Sequence, residues 1–201
     1  IEPELLAWYK RVGFKKAEEI SQEAMGIGTL VDQAIQQALR VGGTARATES
    51  LDSAVSNCLK AWELFLAEHP AFRSTITGIQ TELTDGELVG HPDLEITEPT
   101  RWGIVDIKTS KAIQPKAWVQ TAKYLDLKYP QALRQSPFPY FIGILRLDKL
   151  TGQYEYRELT HPLDILHEVK VFDAYLTAYQ HGQRIREVLR QQLEAEVLDV
   201  L

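Results

Sequence analysis

The chain has 201 residues, 44% of them apolar and 25% charged, with a net charge of −6, a balance that disfavours an indiscriminate nucleic-acid coat. No apolar run approaches the ~18 residues a membrane span needs, and there is no signal-peptide pattern. Cys58 is the single cysteine, which excludes an internal disulfide, a zinc knuckle and a four-cysteine iron–sulfur cluster, and suits a reducing cytoplasm.

The chain begins at Ile1 rather than Met, so a true N-terminus removed or missing upstream is expected. Residues 3–12 read as a short helix with Pro3 in its first turn. Ser21 caps an expected second helix to about Arg40, whose Ile27, Leu30, Val31, Ala34, Ile35 and Ala38 recur at helical spacing before Gly42-Gly43 ends it. A third helix is expected over 49–68, closed by Pro70. The period then changes. Ser74–Leu83 reads as a strand, Asp85-Gly86 as a hairpin turn and Glu87–Ile96 as the partner strand. Gly103–Thr109 is a third strand, with Val105 and Ile107 facing one way and Ile104, Asp106 and Lys108 the other. Pro115 opens a helix to about Tyr129, and Pro130 and Pro137 break the segment after it. Strands are expected over Pro139–Leu147 and Gln153–Leu159, then helix from Pro162 to Leu198 in one or two pieces. This order predicts an α+β fold: a central mixed sheet of about five strands, the first three antiparallel, with a crossover helix and flanking N- and C-terminal helices. A single domain is expected over 1–201, with helices to residue 70, a core over 71–160 and a helical part beyond.

Charge is unevenly spread. Residues 75–100 carry six acids and no Lys or Arg, whereas 101–128 carry six bases against two acids, an acidic pocket beside a basic shelf. Within the acidic stretch lies Asp93, and within the basic one Asp106 and Lys108. A hairpin about Glu98-Pro99-Thr100-Arg101 has its midpoint between Pro99 and Thr100, so Asp93 and Asp106 face each other across the ladder. Cross-strand Cβ atoms lie roughly 5 Å apart, and like charges there repel unless a cation sits between them. Hard divalent cations prefer carboxylate and carbonyl oxygens, which Asp93, Asp106 and the Ile107 backbone carbonyl can supply. Lys108, on the face of Asp106, would position or activate a water, or stabilise the charge on a phosphorane. Gln120 and Tyr124 are four apart on the next helix and share a face, as do Gly28 and Asp32 on the second helix. Glu82 is a weaker candidate acid.

These residues resemble the PD-(D/E)XK nuclease superfamily, and within it the RecB-type exonucleases. The first motif is Pro92-Asp93, the second Val105-Asp106-Ile107-Lys108-Thr109-Ser110, and the downstream Gln-x-x-x-Tyr motif is Gln120-Thr121-Ala122-Lys123-Tyr124. The similarity spans roughly residues 26–160. It implies a restriction-endonuclease-like α/β core and a Mg²⁺- or Mn²⁺-dependent deoxyribonuclease with one or two ions. Its catalytic residues would be Asp93, Asp106 and Lys108, with Gln120 and Tyr124 on the DNA end and Thr109 and Ser110 on a phosphate. Gly28-Thr29-Leu30-Val31-Asp32 departs from the RecB-type Gly-x-x-x-His pattern, so Asp32 takes the place of a metal-binding histidine. The single cysteine separates the chain from iron–sulfur relatives. The implied setting is DNA recombination or repair in a bacterial or phage-infected cell, with DNA as partner, no membrane, and a homo-oligomer or a recombination protein as further partner. A non-catalytic DNA-binding or assembly subunit and a restriction-type endonuclease are the alternatives on the same fold.

Overall fold

A computed structural model describes residues 11, 12, 14–45, 52–130 and 139–198. Arg11 and Val12 are helical; the rest of the expected first helix, residues 49–51 and Pro137 lie outside the described residues. Helix α1 spans Phe14–Val41. Its buried Ile27, Val31, Ile35 and Ala38 follow i, i+3/i+4 spacing. Ser21 does not cap it but lies within it, its hydroxyl donating to the Ala17 carbonyl at 2.9 Å. Gly42, at φ 68°, ends it, and Gly43 N–H returns to the Ala38 carbonyl at 2.9 Å. Helix α2, Ser53–Glu68, is capped by Asp52, which accepts from Ala54 N–H at 2.8 Å.

The expected strand Ser74–Leu83 is broken into pieces. A short helix α3, Phe72–Thr75, precedes β1, Ile76–Ile79, and only Leu83–Thr84 forms β2. The partner divides likewise into β3, Val89–Gly90, and β4, Leu94–Thr97. Ile79 pairs with Leu94 and Leu83 with Gly90, so the turn is centred between Gly86 and Glu87 rather than at Asp85-Gly86. Asp85 makes that wider loop, its Oδ1 accepting from the N–H groups of Glu87 and Leu88. Strand β5, Trp102–Lys108, leads through helix α4, Pro115–Lys128, into β6, Tyr140–Leu147, and β7, Tyr154–Leu159. Helix α5 then runs unbroken from Pro162 to Leu198. No described helix is long and apolar enough to cross a membrane.

The five-stranded mixed sheet has the order β1-β4-β5-β6-β7, with β5 and β6 parallel and the other neighbours antiparallel. A parallel pair needs a crossover, and α4 supplies it. Side-chain alternation gives the sheet two apolar faces. Leu94, Ile96, Val105 and Leu145 pack with α1 and α2, centred on Trp62 and Phe65. Ile104 and Ile142 pack with Ala122 and Leu125 of α4 and Ile165 and Val169 of α5. Asp106 and Lys108, alternating with Ile104, therefore fall on the α4 side of the sheet.

Candidate functional site

The register decides the site. Leu94 pairs with Val105, so Asp93, one residue before β4, stands opposite Asp106. The backbone ladder stops there, and the Asp93 carboxylate continues it: Oδ2 accepts the Ile107 N–H at 2.6 Å. Within a strand the N–H and C=O of one residue point to the same edge, so the Ile107 carbonyl is directed toward the Asp93 side. Asp93 Oδ1 accepts from Gln80 Nε2 at 2.6 Å. Asp106 is 2% exposed. Its Oδ2 lies 2.7 Å from Lys108 Nζ, a coulombic contact rather than a directed hydrogen bond, and no hydrogen bond reaches this buried oxygen among the described residues.

Lys108 Nζ also donates to Gln120 Oε1 at 3.2 Å, and Gln120 Nε2 donates to the Tyr124 hydroxyl at 2.7 Å. An ammonium can only donate, so the carboxamide must turn its oxygen to Lys108 and its nitrogen to Tyr124. The Tyr124 hydroxyl therefore accepts in this contact, and its own proton is not used by Gln120. Helical spacing of four puts both residues on the sheet-facing side of α4, and a methyl group on Gly90 would come within 2.5 Å of the Tyr124 ring. Glycine at 90 is thus what lets the ring lie against β3.

Burial first, then the charge of Asp106, pushes the Asp93 carboxyl up from 3.8 to about 7, against the Ile107 N–H bond, which favours the anion. Burial also raises Asp106, with Lys108 opposing and Asp32 adding to the rise. For Lys108, burial favours the neutral amine, but the charges of Asp106 and Asp93 outweigh it and hold the ammonium above its usual range. Burial likewise raises the Tyr124 phenol.

Asp32 is half-buried on α1, and its Oδ2 accepts from Gln36 Nε2 at 2.6 Å. Its charge reaches both Asp93 and Asp106. Gly28 brings α1 close to the end of β5, where an added Cβ would meet Thr109 Oγ1 at 3.5 Å. Ser110 Oγ is bonded to the Ala112 carbonyl at 2.7 Å. Glu82 is not gathered into this group: it is mostly exposed and turned to His91 at 3.7 Å. Among the described residues, no three His, Cys, Asp or Glu side chains are close enough together to hold a metal ion unaided.

A cleft of about 660 Å³ opens beside Lys108, lined also by Met25, Thr109, Ser110, Gln114, Lys116, Gln120 and Lys149. Among the described residues, three lysines and no carboxylate line it. The first turn of α4 borders it, with no side-chain cap at Gln114 and with the Ala117 N–H donating to the Gln114 carbonyl at 2.9 Å.

Two groups had no place in the sequence expectations. Gln80 faces Asp93 from β1's end. Glu95, 8% exposed, lies on the same face of β4 as Asp93, with its Oε2 2.8 Å from Lys128 Nζ and its Oε1 accepting from the Thr81 hydroxyl. The signal for Lys128 was legible: Gln120, Tyr124 and Lys128 recur every four residues along α4.

No protein-family model matches the chain, and no curated protein matches it. Among solved structures it is similar to an alkaline exonuclease, LHK-Exo, from Laribacter hongkongensis, with 17% identity over 64% of this chain and 70% of that one, and a TM-score of 0.29. A likeness that faint establishes neither family nor activity.

Proposed function

We propose that this protein is a divalent-metal-dependent deoxyribonuclease that degrades DNA from an end, in recombination or repair. The observation that carries the reading is the facing pair Asp93–Asp106 with Lys108 held against Asp106 and tied through Gln120 to Tyr124, Lys108 and Gln120 also lining a cleft that Lys116 and Lys149 share. The motif resemblance of these same residues adds the substrate class.

The residues suit a hard cation. Among the described residues, no hydrogen bond reaches the buried Asp106 Oδ2, beside which the Lys108 ammonium stands at 2.7 Å. Asp93, Asp106 and the Ile107 carbonyl would hold Mg²⁺ or Mn²⁺, with waters completing the shell and Asp32 adding charge from α1. The chemistry such a cation supplies when bound is activation of a water and neutralisation of phosphate charge. Lys108, kept cationic by Asp106 and Asp93, stabilises the charge that develops on the phosphoryl oxygens rather than abstracting a proton. Gln120 fixes the Lys108 ammonium, and the Tyr124 hydroxyl, whose acceptor side is filled by Gln120, offers its proton to a backbone phosphate. Thr109, Ser110, Lys116 and Lys149 line the path of the polyanion.

The test is end-labelled linear DNA and a covalently closed circle, each with Mg²⁺, Mn²⁺ or chelator. Metal-dependent shortening of the linear DNA with the circle intact is expected. Cutting of the circle would point instead to an endonuclease. Lys108→Ala should lower cleavage by roughly 100-fold or more, the scale for losing one charge-stabilising donor, while the variant still melts cooperatively, at a lower temperature because Asp106 loses its cation. Undiminished cleavage by that variant sinks the mechanism.

A further inference from the structure

Gln80 is the only non-glycine residue with a positive φ, 50°, among the described residues. Glutamine has no preference for that left-handed region, so its surroundings must hold it there. Both of the contacts that do so end on Asp93. Its N–H donates to the Asp93 carbonyl at 3.2 Å and its Nε2 to Asp93 Oδ1 at 2.6 Å. The pairing of Ile79 with Leu94 and of Leu94 with Val105 sets Gln80, Asp93 and Asp106 in one row across three strands.

We propose that Gln80 is a positioning residue that orients the Asp93 carboxylate so that, with Asp106, it takes a divalent cation. This rests on the metal-dependent nuclease reading and adds a residue to it. A carboxylate offers about four lone-pair sites. Gln80 on Oδ1 and Ile107 N–H on Oδ2 use one each, which stops rotation of the group and leaves the remaining sites to a cation. A neutral carboxamide does this without the charge by which a lysine or arginine would compete for the site. The need for that side chain accounts for glutamine at a backbone conformation that glycine adopts freely. Partners of this kind, one step removed from a metal, are worth about 10- to 100-fold in metal affinity.

The experiment measures Mn²⁺ binding by calorimetry at pH 8, without DNA, for wild type, Gln80→Gly and Gln80→Ala, beside thermal melts in chelator. Gln80→Gly removes the carboxamide while accepting the positive φ, so it guards against a variant that merely fails to fold. Both variants should keep a cooperative melt and bind Mn²⁺ at least about 10-fold more weakly than wild type. Gln80→Ala, which keeps the unfavourable φ, should melt below Gln80→Gly. Wild-type affinity in Gln80→Gly overturns the assignment, as does a wild type that binds no Mn²⁺. A wild type that binds Mn²⁺ and loses it with Gln80, yet cuts no DNA, would uphold Gln80 and refute the nuclease reading alone.

Discussion

Asp106→Asn should stabilise the metal-free protein at pH 8. The structure places two carboxylates opposite each other with Asp106 almost fully buried, and the Asp93 carboxyl is pushed from 3.8 to about 7. At about 1.4 kcal/mol per pH unit, that displacement is worth roughly 4 kcal/mol. Burial is its largest cause and the Asp106 charge the second, so removing the charge returns only part of it. Asp93 keeps some contact with solvent, and Lys108 loses an ionic partner, both of which reduce the gain. A net stabilisation of about 1 kcal/mol remains, or roughly 2–4 °C in melting temperature for a chain of this size. The sign follows from linkage. A carboxyl whose pKa is higher folded than unfolded contributes stability below its unfolded value, and that contribution is lost as pH rises toward 7. Wild type in chelator should therefore weaken between about pH 4 and pH 8, and Asp106→Asn should weaken less. Thermal melts of both proteins at pH 5 and pH 8 in chelator measure this. A variant less stable than wild type at pH 8, or one with the same gain at pH 5, would refute the reasoning. Added Mn²⁺ should raise the wild-type melt and leave the variant's nearly unchanged.

Neighbouring contacts give two further expected outcomes. Replacing both Lys116 and Lys149 by alanine should weaken DNA binding several-fold and reduce the slope of log affinity against log salt by roughly 1.4–1.8, since each lysine–phosphate contact contributes roughly 0.7–0.9; an unchanged slope, read by fluorescence anisotropy across a salt series, would remove the cleft from the DNA path. Lys128→Ala leaves the buried Glu95 with only Thr81. Because Lys128 is itself partly exposed, the cost should fall below the range for a fully buried pair, at about 2 kcal/mol by urea denaturation at pH 8. An unchanged urea midpoint in Lys128→Ala would argue against the ion pair as a support of the fold.

Much of the site was legible before any coordinates. Strand alternation puts Asp106 and Lys108 on one face, and the symmetric spacing about Pro99-Thr100 pairs Asp93 with Asp106, because a tight hairpin leaves the register no freedom. The upstream hairpin shows the limit of that method. Asp85-Gly86 suggests a two-residue turn, about which Gln80 would face His91. The Asp85 side chain instead binds two N–H groups of a four-residue loop, which moves the register by two and brings Gln80 to Asp93. Glu82 went astray for a related reason: it lies near the break between the two strand pairs, where the ladder no longer dictates which way a side chain points.

Local rules, then, determined the long described helices, most of the strands, the shared face of Asp106 and Lys108 and the Asp93–Asp106 register, because period and a short turn act over a few residues. Only the tertiary structure decided which distant groups share a space. The α4 crossover brings Gln120 onto Lys108 and Lys128 onto Glu95, the β6–β7 turn carries Lys149 to the cleft, and the packing of α1 sets Asp32 within electrostatic reach of both aspartates. Those meetings depend on how whole elements pack, and no short-range pattern encodes that.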